Sequence, residues 1–597
     1  MPDRKPSENL LLGRRALEHL PYCQIVVDWE WFPAKEMWGL RLRLRVEPQG
    51  LIPEWTTWYI LSDPAYPLGE IETYPAKDGG IEVTFPHQSL NSFGDPEMPW
   101  RRGKTCEQTS LRTFGRRKYD IEPLTASDRL SWRVSRLWEW LIAAREDRLS
   151  QSGDPFELPD FPHGQSNIQI AFIEDQASFN IWQSNNEPCG LVDLANPLVN
   201  NSIFAAVRFK KKNGDLLWTV QYGDVVSTKA AIIGLWIRTR EVPHVSPWQA
   251  PTTFAELVDA LSRLGANLQQ MLEELGKYMR DGRRHPLLIG FPIPSRIGDP
   301  AKRYHWQGLL LPEFSYGDIK GFRATEKAYI ARDKSIVFRP NLKLEWLNSE
   351  NWEPSQIGTR GILGDEIRSK KILIIGAGTL GSMMSEILVR EGCRDFVIID
   401  YQMLQIGNLT RHTLGLGAVA TRKADALGAR LTTLNPHARV SVVPRAFPPR
   451  NDEDHATIAS CDIIIDCTGD DTVLNSMSNF EWKSEKRFFS ISVGLYARRV
   501  FLFYAASKTF PHQLFTEKIQ PWIEKELVEY RDVELPKGGI GCWHPVFPAR
   551  ADDLWLACSI AGKRIAEVAG SSSLQPSLEV FEQQYREGSI EGVRKVV

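Results

Sequence analysis

No C-x-x-C pair occurs anywhere in the 597 residues, and the eight cysteines are scattered. That excludes a disulfide framework and a structural zinc site as organising features, and it makes a reducing cytoplasm the expected compartment. Long apolar runs are missing too. The opening MPDRKPSENLLLG has no extended apolar core, and the most apolar internal stretches, such as residues 230–237, fall far short of the ~20 residues that span a bilayer. No membrane partner is expected, and the chain should be soluble. Nor is there an excess of either charge: 72 basic against 74 acidic residues leave a formal charge of −2, so nothing in the balance points to nucleic acid. No internal repeat or low-complexity tract is present.

What is there is a large globular chain. Its length is about four times the ~150 residues of a typical domain, which excludes a small binding module and predicts three or four domains. Hydrophobic residues make up 42% and charged residues 24%, and the twenty tryptophans read mainly as packing residues. Residues 24–31, 38–47, 55–61 and 80–86 read as successive strands; the second alternates Leu40, Leu42, Leu44 and Val46 against arginines, the period of a half-buried antiparallel meander. A short helix around 14–20 precedes it. A Pro/Gly-rich passage follows, then a helix from about 127 with Leu130, Val134, Leu137, Trp138 and Leu141 on one face.

The turn-rich residues 153–164 mark a first boundary. Beyond it, 203–209 and 216–222 flank an Asn213-Gly214 turn, and 253–279 reads as one long amphipathic helix. Arg208 and Lys210 to Lys212 read as a solvated basic turn, and this middle segment holds no catalytic constellation. A second boundary lies at about 347–362. From Lys370 onward KKILIIGAG, RDFVIID, ARVSVVP, CDIIIDCT and RFFSISV alternate with helical stretches, the pattern of a doubly wound, largely parallel sheet. The expected fold class is thus α/β and α+β multidomain, with domains at 1–152, 165–346 and 357–597.

Gly376-Ala-Gly378-Thr-Leu-Gly381 follows the first of these strands and opens a helix, so backbone N–H groups and the helix N-terminus can meet a phosphate. Asp400 ends the next strand, where a carboxylate can accept from ribose hydroxyls. The glycines alone fit a nicotinamide or flavin dinucleotide as well as ATP. Asn408, Arg411 and Lys423 discriminate: hydride transfer has no need of this cluster, whereas attack on the α-phosphate of ATP requires cations that offset charge on the phosphates and departing pyrophosphate.

This arrangement, D-x7-N-L-x-R with a downstream lysine, resembles the adenylation domain shared by ubiquitin-activating enzymes and bacterial ThiF/MoeB proteins, over roughly residues 357–565. The resemblance implies ATP and Mg²⁺. It implies Asp400 as the ribose ligand, with Asn408, Arg411 and Lys423 holding phosphates. The family's acidic Mg²⁺ ligand lies in a D-x-T-D-N context; here the stretch is Asp466-Cys-Thr-Gly-Asp470-Asp471, so Asp470 is the implied ligand with Asp471 its alternative. Arg360 corresponds either to an arginine that this family contributes across a dimer or to an ordinary surface residue.

Two cysteines have settings suited to carrying an acyl group. Cys542 lies in Lys537-Gly-Gly-Ile-Gly-Cys542-Trp-His544-Pro, a glycine-rich polar loop, where a thiolate can attack a mixed anhydride. Cys393, Cys461 and Cys467 lie in or beside strands and read as small buried hydrophobes, and Cys23, Cys189 and Cys558 take no role. In the N-terminal segment, Tyr66-Pro67, Phe85-Pro86-His87, Asn91, Trp100, Gly103 and Cys106 follow one another after the meander and before a helix, which resembles a ubiquitin-conjugating domain. That family's cysteine accepts a thioester, and an asparagine supports the oxyanion. The His-Pro-Asn motif is not present as such, and Pro86-His87 and Asn91 are its candidates. Arg101, Arg102 and Lys104 would favour the Cys106 thiolate.

A conjugating-type, a connecting and an activating-type domain in one chain resembles the fused ubiquitin-transferase-like enzymes of bacterial CBASS antiphage operons. The resemblance implies that a protein C-terminal carboxylate is adenylated, carried on Cys542, passed to Cys106 and given to an amine, usually of lysine. It further implies a cGAS/DncV-like nucleotidyltransferase as the protein substrate and a homodimer through the adenylation domain. A dinucleotide-dependent oxidoreductase on the same glycine turn and a non-catalytic scaffold retaining these folds stay open as alternatives. Sulfur-carrier activation without conjugation would leave the N-terminal segment unexplained.

Overall fold

The leucine–arginine alternation is realised as a four-stranded antiparallel sheet in the order β1 (Cys23–Phe32), β2 (Met37–Arg45), β3 (Trp55–Ser62), β4 (Ile71–Pro75). The computed structural model describes residues 5–106, 122–164, 166–321, 323–537, 546–571 and 574–597. Leu40, Leu42 and Leu44 are fully buried against α1 (Glu8–Ala16) and α2 (Arg129–Arg145). In α2 the buried face is Leu130, Val134, Leu137, Trp140 and Leu141, whereas Trp138 sits at the rim and donates its indole N–H to Arg45 O at 2.8 Å. Tyr66 closes this core: its hydroxyl donates to Ala126 O at 2.8 Å and accepts from Leu130 N–H at 3.1 Å.

The expected fourth strand at 80–86 is displaced to β4. Ile81 and Phe85 are buried, as their alternation requires, but the carbonyls of Ile81 and Val83 accept from the Asn91 side-chain amide and pair with no strand. Period-two burial reports a buried face, and here a side chain takes the place of the ladder.

Two units are distinguished. The first comprises residues 1–195, 202–220 and 230–351, and the second 196–201, 221–229 and 352–597. Within the first, a mixed eight-stranded sheet follows the meander: β5 (Gln169–Phe172), β6 (Cys189–Ala195), β7 (Ile203–Lys211), β8 (Leu216–Thr219), β9 (Ile232–Arg238), β10 (Pro286–Ile293), β11 (Arg303–Leu310) and β12 (Asn348–Asn351). The order is β11-β10-β9-β6-β7-β5-β12, with β8 paired to β7. The long helix expected over 253–279 is two helices, α3 (Phe254–Arg263) and α4 (Leu268–Leu275). Gly265 takes φ +80°, and the Asn267 side chain caps α4 by accepting from Gln270 N–H at 3.0 Å. The leucine stripe survives the break because both helices bury it on the same core.

The basic run at β7 is more engaged than a solvated turn. Arg208 and Lys210 both pair with Asp193, which is 2% exposed, at 2.7 and 2.9 Å, and Lys212 pairs with Glu274. Another buried carboxylate, Glu174, accepts from the indoles of Trp182 and Trp306, each at 2.7 Å, and from the Ser178 hydroxyl at 2.5 Å.

The second unit is built on β13 (Lys371–Ile375), β14 (Asp395–Ile399), β15 (Arg439–Val443), β16 (Ile463–Asp466), β17 (Lys486–Val493), β18 (Arg499–Ser507), β19 (Ser577–Arg586) and β20 (Ser589–Lys595). Its order is β15-β14-β13-β16-β17-β18-β19-β20; the first five strands are parallel and the last three antiparallel. This is the doubly wound sheet expected from the strand–helix alternation. Helices α5 (Thr379–Arg390), α6 (Lys423–Leu434) and α9 (Ala551–Ala569) cover one face, and α7 (Asp471–Asn479) and α8 (His512–Glu529) cover the other. Burial on both faces explains why the central strands β13, β14 and β16 are near-continuous runs of isoleucine, leucine, valine and phenylalanine. Among the described residues no helix is long and apolar enough to cross a membrane.

Burial pushes the Glu174 carboxyl up to about 7, against the ordinary 4.5, despite its three donors. The folded chain therefore holds this proton more tightly than the unfolded chain. Its contribution to stability is full below pH 4.5 and is lost as pH rises through about 7. Between pH 5 and 8, wild type should lose stability relative to Glu174→Gln, read from denaturation midpoints; parallel pH profiles would show that this carboxyl ionises freely.

Candidate functional site

The glycine turn sits between β13 and α5, where the strand order reverses and an open α/β sheet forms its ligand crevice. Gly376 takes φ +88°, and a Cβ on Gly381 would lie 1.8 Å from Gly376 O, so α5 closes onto the strand only without side chains there. A Cβ on Gly378 meets nothing within 4 Å, which leaves open space over the helix N-terminus for a phosphate group.

Asp400, at the end of β14 and 9% exposed, accepts from Ala377 N–H at 2.8 Å and from Gln402 N–H at 2.7 Å. Lys423, the first residue of α6, is buried to the same degree and donates to Gln402 Oε1 at 2.7 Å. Burial lowers its amine; Asp400 opposes that shift and Arg411 adds to it. Lys423 thus lies within electrostatic reach of both Asp400 and Arg411. Arg411 also donates to Phe547 O. Asn408 caps its own short helix, Ile406–Thr410, by accepting from Gln405 N–H at 3.0 Å. Arg360 is exposed in a turn ahead of β13 and shares none of these contacts.

Two participants, Gln402 and His412, carry no motif signal, and a third, Asp466, opens the acidic stretch 466–471. Gln402 bridges Asp400 and Lys423. His412 accepts at Nδ1 from Leu414 N–H and donates from Nε2 to Ala377 O at 2.8 Å, which clamps the turn from its other side; burial lowers this imidazole. Asp466, fully buried at the end of β16, accepts from Thr468 and from Ser490 Oγ at 2.9 Å, and burial pushes it up to about 6. Following it, Asp470 caps α7, accepting from Thr472 N–H at 2.9 Å, and these bonds hold its carboxyl below the ordinary range. Asp471 is exposed and pairs with His512 at 2.8 Å. Among the described residues no three His, Cys, Asp or Glu side chains form a ready metal cage. A cavity of about 750 Å³ adjoins this loop, bordered by Gly469, Asp471 and Phe547 and walled by Phe515, Ile519 and Ile523 of α8.

In the first unit, Cys106 is exposed; of the other described cysteines, Cys23 is half-buried and the rest are buried. Burial raises the thiols of Cys393, Cys461 and Cys558 to about 12 and pushes that of Cys467 well above the ordinary thiol range, which removes them as nucleophiles near neutral pH. Cys542 and His544 lie outside the described residues. The oxyanion role expected for Asn91 does not hold. Its amide donates to Ile81 O at 2.8 Å and Val83 O at 3.0 Å, so both N–H groups are used, and its Oδ1 accepts from Arg101 Nε. Arg101 is spent on Asn91 and Glu82 O, and Lys104 pairs with Glu72 at 2.6 Å, so neither is the unpaired cation expected beside Cys106.

Residues 147–352 match the Cap2 central linker domain family, and residues 349–515 match the ThiF family. The ATP-dependent ubiquitin transferase-like protein Cap2 of Enterobacter hormaechei subsp. hoffmannii is 35% identical over 552 residues, 90% of each chain. The molybdopterin-synthase adenylyltransferase of Escherichia coli is 30% identical over 115 residues, 19% of this chain and 45% of that one. The crystal structure of E. coli MccB with ATP aligns with 39% of this chain and 64% of its own at 16% identity, with a TM-score of 0.27.

Asn91 is 2% exposed and satisfies two buried carbonyls, so Asn91→Ala should cost about 2–4 kcal/mol of stability, measured by denaturant unfolding. A variant of wild-type stability would return the residue to a catalytic role.

Proposed function

The chain belongs to the Cap2 family of ATP-dependent ubiquitin transferase-like enzymes, and on that premise we propose that it runs a two-cysteine relay from a protein C-terminus to a lysine amine. The observation that supports the activating step is Lys423 beside Asp400 at the glycine turn, with Arg411 close enough to Lys423 to lower its amine further. Two cations there have no task in hydride transfer, which sets aside the dinucleotide oxidoreductase. They suit a reaction in which a carboxylate oxygen bonds to the α-phosphorus of ATP and pyrophosphate leaves.

In this reading Asp400 orients the ribose. Asn408, Arg411 and Lys423 hold the phosphates, and Arg360 of a second copy completes the set. Mg²⁺, when bound, offsets phosphate charge; Asp470 would hold it, being kept ionised by its cap, with Asp471 beside it. The cavity next to Asp471 takes the substrate's C-terminal tail. The Cys542 thiolate then bonds to the acyl carbon and AMP leaves; Cys106 displaces Cys542 by thioester exchange; finally the amine nitrogen displaces Cys106 to give an amide. Exposure of Cys106, where the other described cysteines are buried or half-buried, supports its place in this order.

Residues 1–152, 165–346 and 357–597 would serve as conjugating, connecting and adenylating domains. The protein substrate is a cGAS/DncV-like nucleotidyltransferase, and the setting is antiphage defence in the cytoplasm. Exposed Tyr401, Met403, Ile406 and Leu416, 48–70% accessible on the loops that carry Asn408 and Arg411, support pairing of two adenylating domains into a homodimer.

Lys423→Ala and Arg411→Ala should each lower ATP–pyrophosphate exchange by about 100-fold. Cys542→Ala should keep exchange and lose every reductant-sensitive adduct, whereas Cys106→Ala should accumulate the Cys542 thioester, read on non-reducing gels. Normal conjugation by either cysteine variant would refute the relay.

A further inference from the structure

Cys106 borders a cavity of about 680 Å³, and one of its walls is made by Glu157, Leu158, Asp160 and Trp248, from the chain that follows the conjugating-type fold. Backbone contacts fasten that wall: Leu90 N–H donates to Asp160 Oδ2 at 2.8 Å, and Trp248 N–H donates to Thr84 O at 3.1 Å. The first 152 residues therefore do not enclose this pocket by themselves.

His87 joins the wall to the cysteine. Its Nδ1 contacts Glu157 Oε2 at 2.5 Å, its Nε2 contacts Leu149 O at 3.0 Å, and its backbone carbonyl accepts from Cys106 N–H at 2.9 Å. His87 also takes φ +59°, a left-handed conformation that costs energy in a residue with a Cβ and persists only where its surroundings hold it. Both ring nitrogens are engaged by oxygen atoms, so the ring is held on two sides. Its geometry is that of a strut. The cysteine loop is held as well by Thr105 N–H to Thr73 O at 3.3 Å, Ser89 N–H to Lys104 O at 3.0 Å, the Thr73–Thr105 hydroxyl pair at 2.5 Å and the Lys104–Glu72 ion pair, none of which reaches the connecting segment.

We propose that Glu157 is a positioning residue for Cys106: it holds the His87 ring, His87 holds the Cys106 amide, and the connecting segment thereby sets the angle at which the thioester meets its nucleophile. This rests on the two-cysteine reading. In the step it serves, the amine nitrogen bonds to the thioester carbon, the C–S bond breaks, the Cys106 sulfur leaves with the electron pair, and the amine proton passes to water. Glu157 touches none of these atoms. It acts through His87, so its loss should change rate constants and leave substrate binding alone.

The test is single-turnover charging of Cys106 and its discharge to free lysine, using full-length enzyme and substrate protein. Glu157→Ala should slow both steps about tenfold, with the half-saturating concentration of substrate protein unchanged. Glu157→Gln, whose amide oxygen still accepts from Nδ1, should stay within about threefold of wild type. His87→Gly suits the left-handed backbone and removes only the ring, so it should match Glu157→Ala. Because the Glu157 side chain is 50% exposed, its truncation leaves the fold intact. ATP–pyrophosphate exchange should be unchanged throughout. Wild-type rates in both Glu157→Ala and His87→Gly overturn the strut, as does a Glu157→Gln rate as low as that of Glu157→Ala. If wild type forms the Cys542 thioester but never charges Cys106, the relay fails first and takes this inference with it.

Discussion

One backbone hydrogen bond, from Ala377 N–H to Asp400 Oδ2 at 2.8 Å, ties the glycine turn after β13 to the end of β14, and the adenylating site is arranged around it. The bond is feasible because Gly376 and Gly381 bring α5 down onto the strand. It also fixes a nearly buried carboxylate, and a buried charge requires partners. Gln402 N–H supplies one directly, and the Gln402 side chain passes the field on to Lys423. Burial of Lys423 would favour its neutral amine, and Asp400 opposes that change. One acid beside two cations leaves a local positive excess at the open helix N-terminus, the sign that a polyphosphate needs.

Solvation divides the cysteines in the same spirit. A thiol buried in a doubly covered sheet must give up hydration to ionise, so Cys393, Cys461, Cys467 and Cys558 are inert by location. Cys106 escapes this because its loop is a surface ribbon, hydrogen-bonded to Thr73 on one side and to the 87–89 segment on the other. The cost of exposure is lost rigidity. Short backbone bridges and the His87–Glu157 contact restore it without burying the sulfur.

Features carried by contiguous pattern were legible in the sequence. The β2 alternation, the isoleucine-rich parallel strands and the glycine-rich turn between strand and helix each bring their meaning within a dozen residues. Features that depend on which polar group satisfies which were not. Residues 80–86 alternate like a strand, yet Asn91 takes the bonds a neighbouring strand would have made. The 253–279 stripe reads as continuous because leucine spacing registers burial, and only the φ of Gly265 reveals two helices. Gln402 and His412 act on backbone atoms and on other side chains of the site, and no spacing rule marks them. His87 and Glu157 are seventy residues apart, so only the fold brings them together.

The acidic loop after β16 shows how environment assigns roles that register leaves ambiguous. The family pattern places its metal ligand one residue earlier than Asp470, at the position Gly469 occupies with φ +62°. Asp466 and Asp470 bracket this turn, and their surroundings drive them in opposite directions. Asp466 is fully buried against Thr468 and Ser490 and is pushed up to about 6, which suits a residue that holds the loop. Asp470 is exposed and receives hydrogen bonds from Thr472 that stabilise its anion and hold its carboxyl below the ordinary range. Asp471 offers a charge already shared with His512. A hard cation arriving with phosphate oxygens needs only one or two such anions, and of the three Asp470 is both ionised and unshared with a cationic side chain. On the proposed reading the one-residue offset moves the metal-binding carboxylate along the turn to Asp470, and a glycine in a left-handed conformation stands where the family places the aspartate.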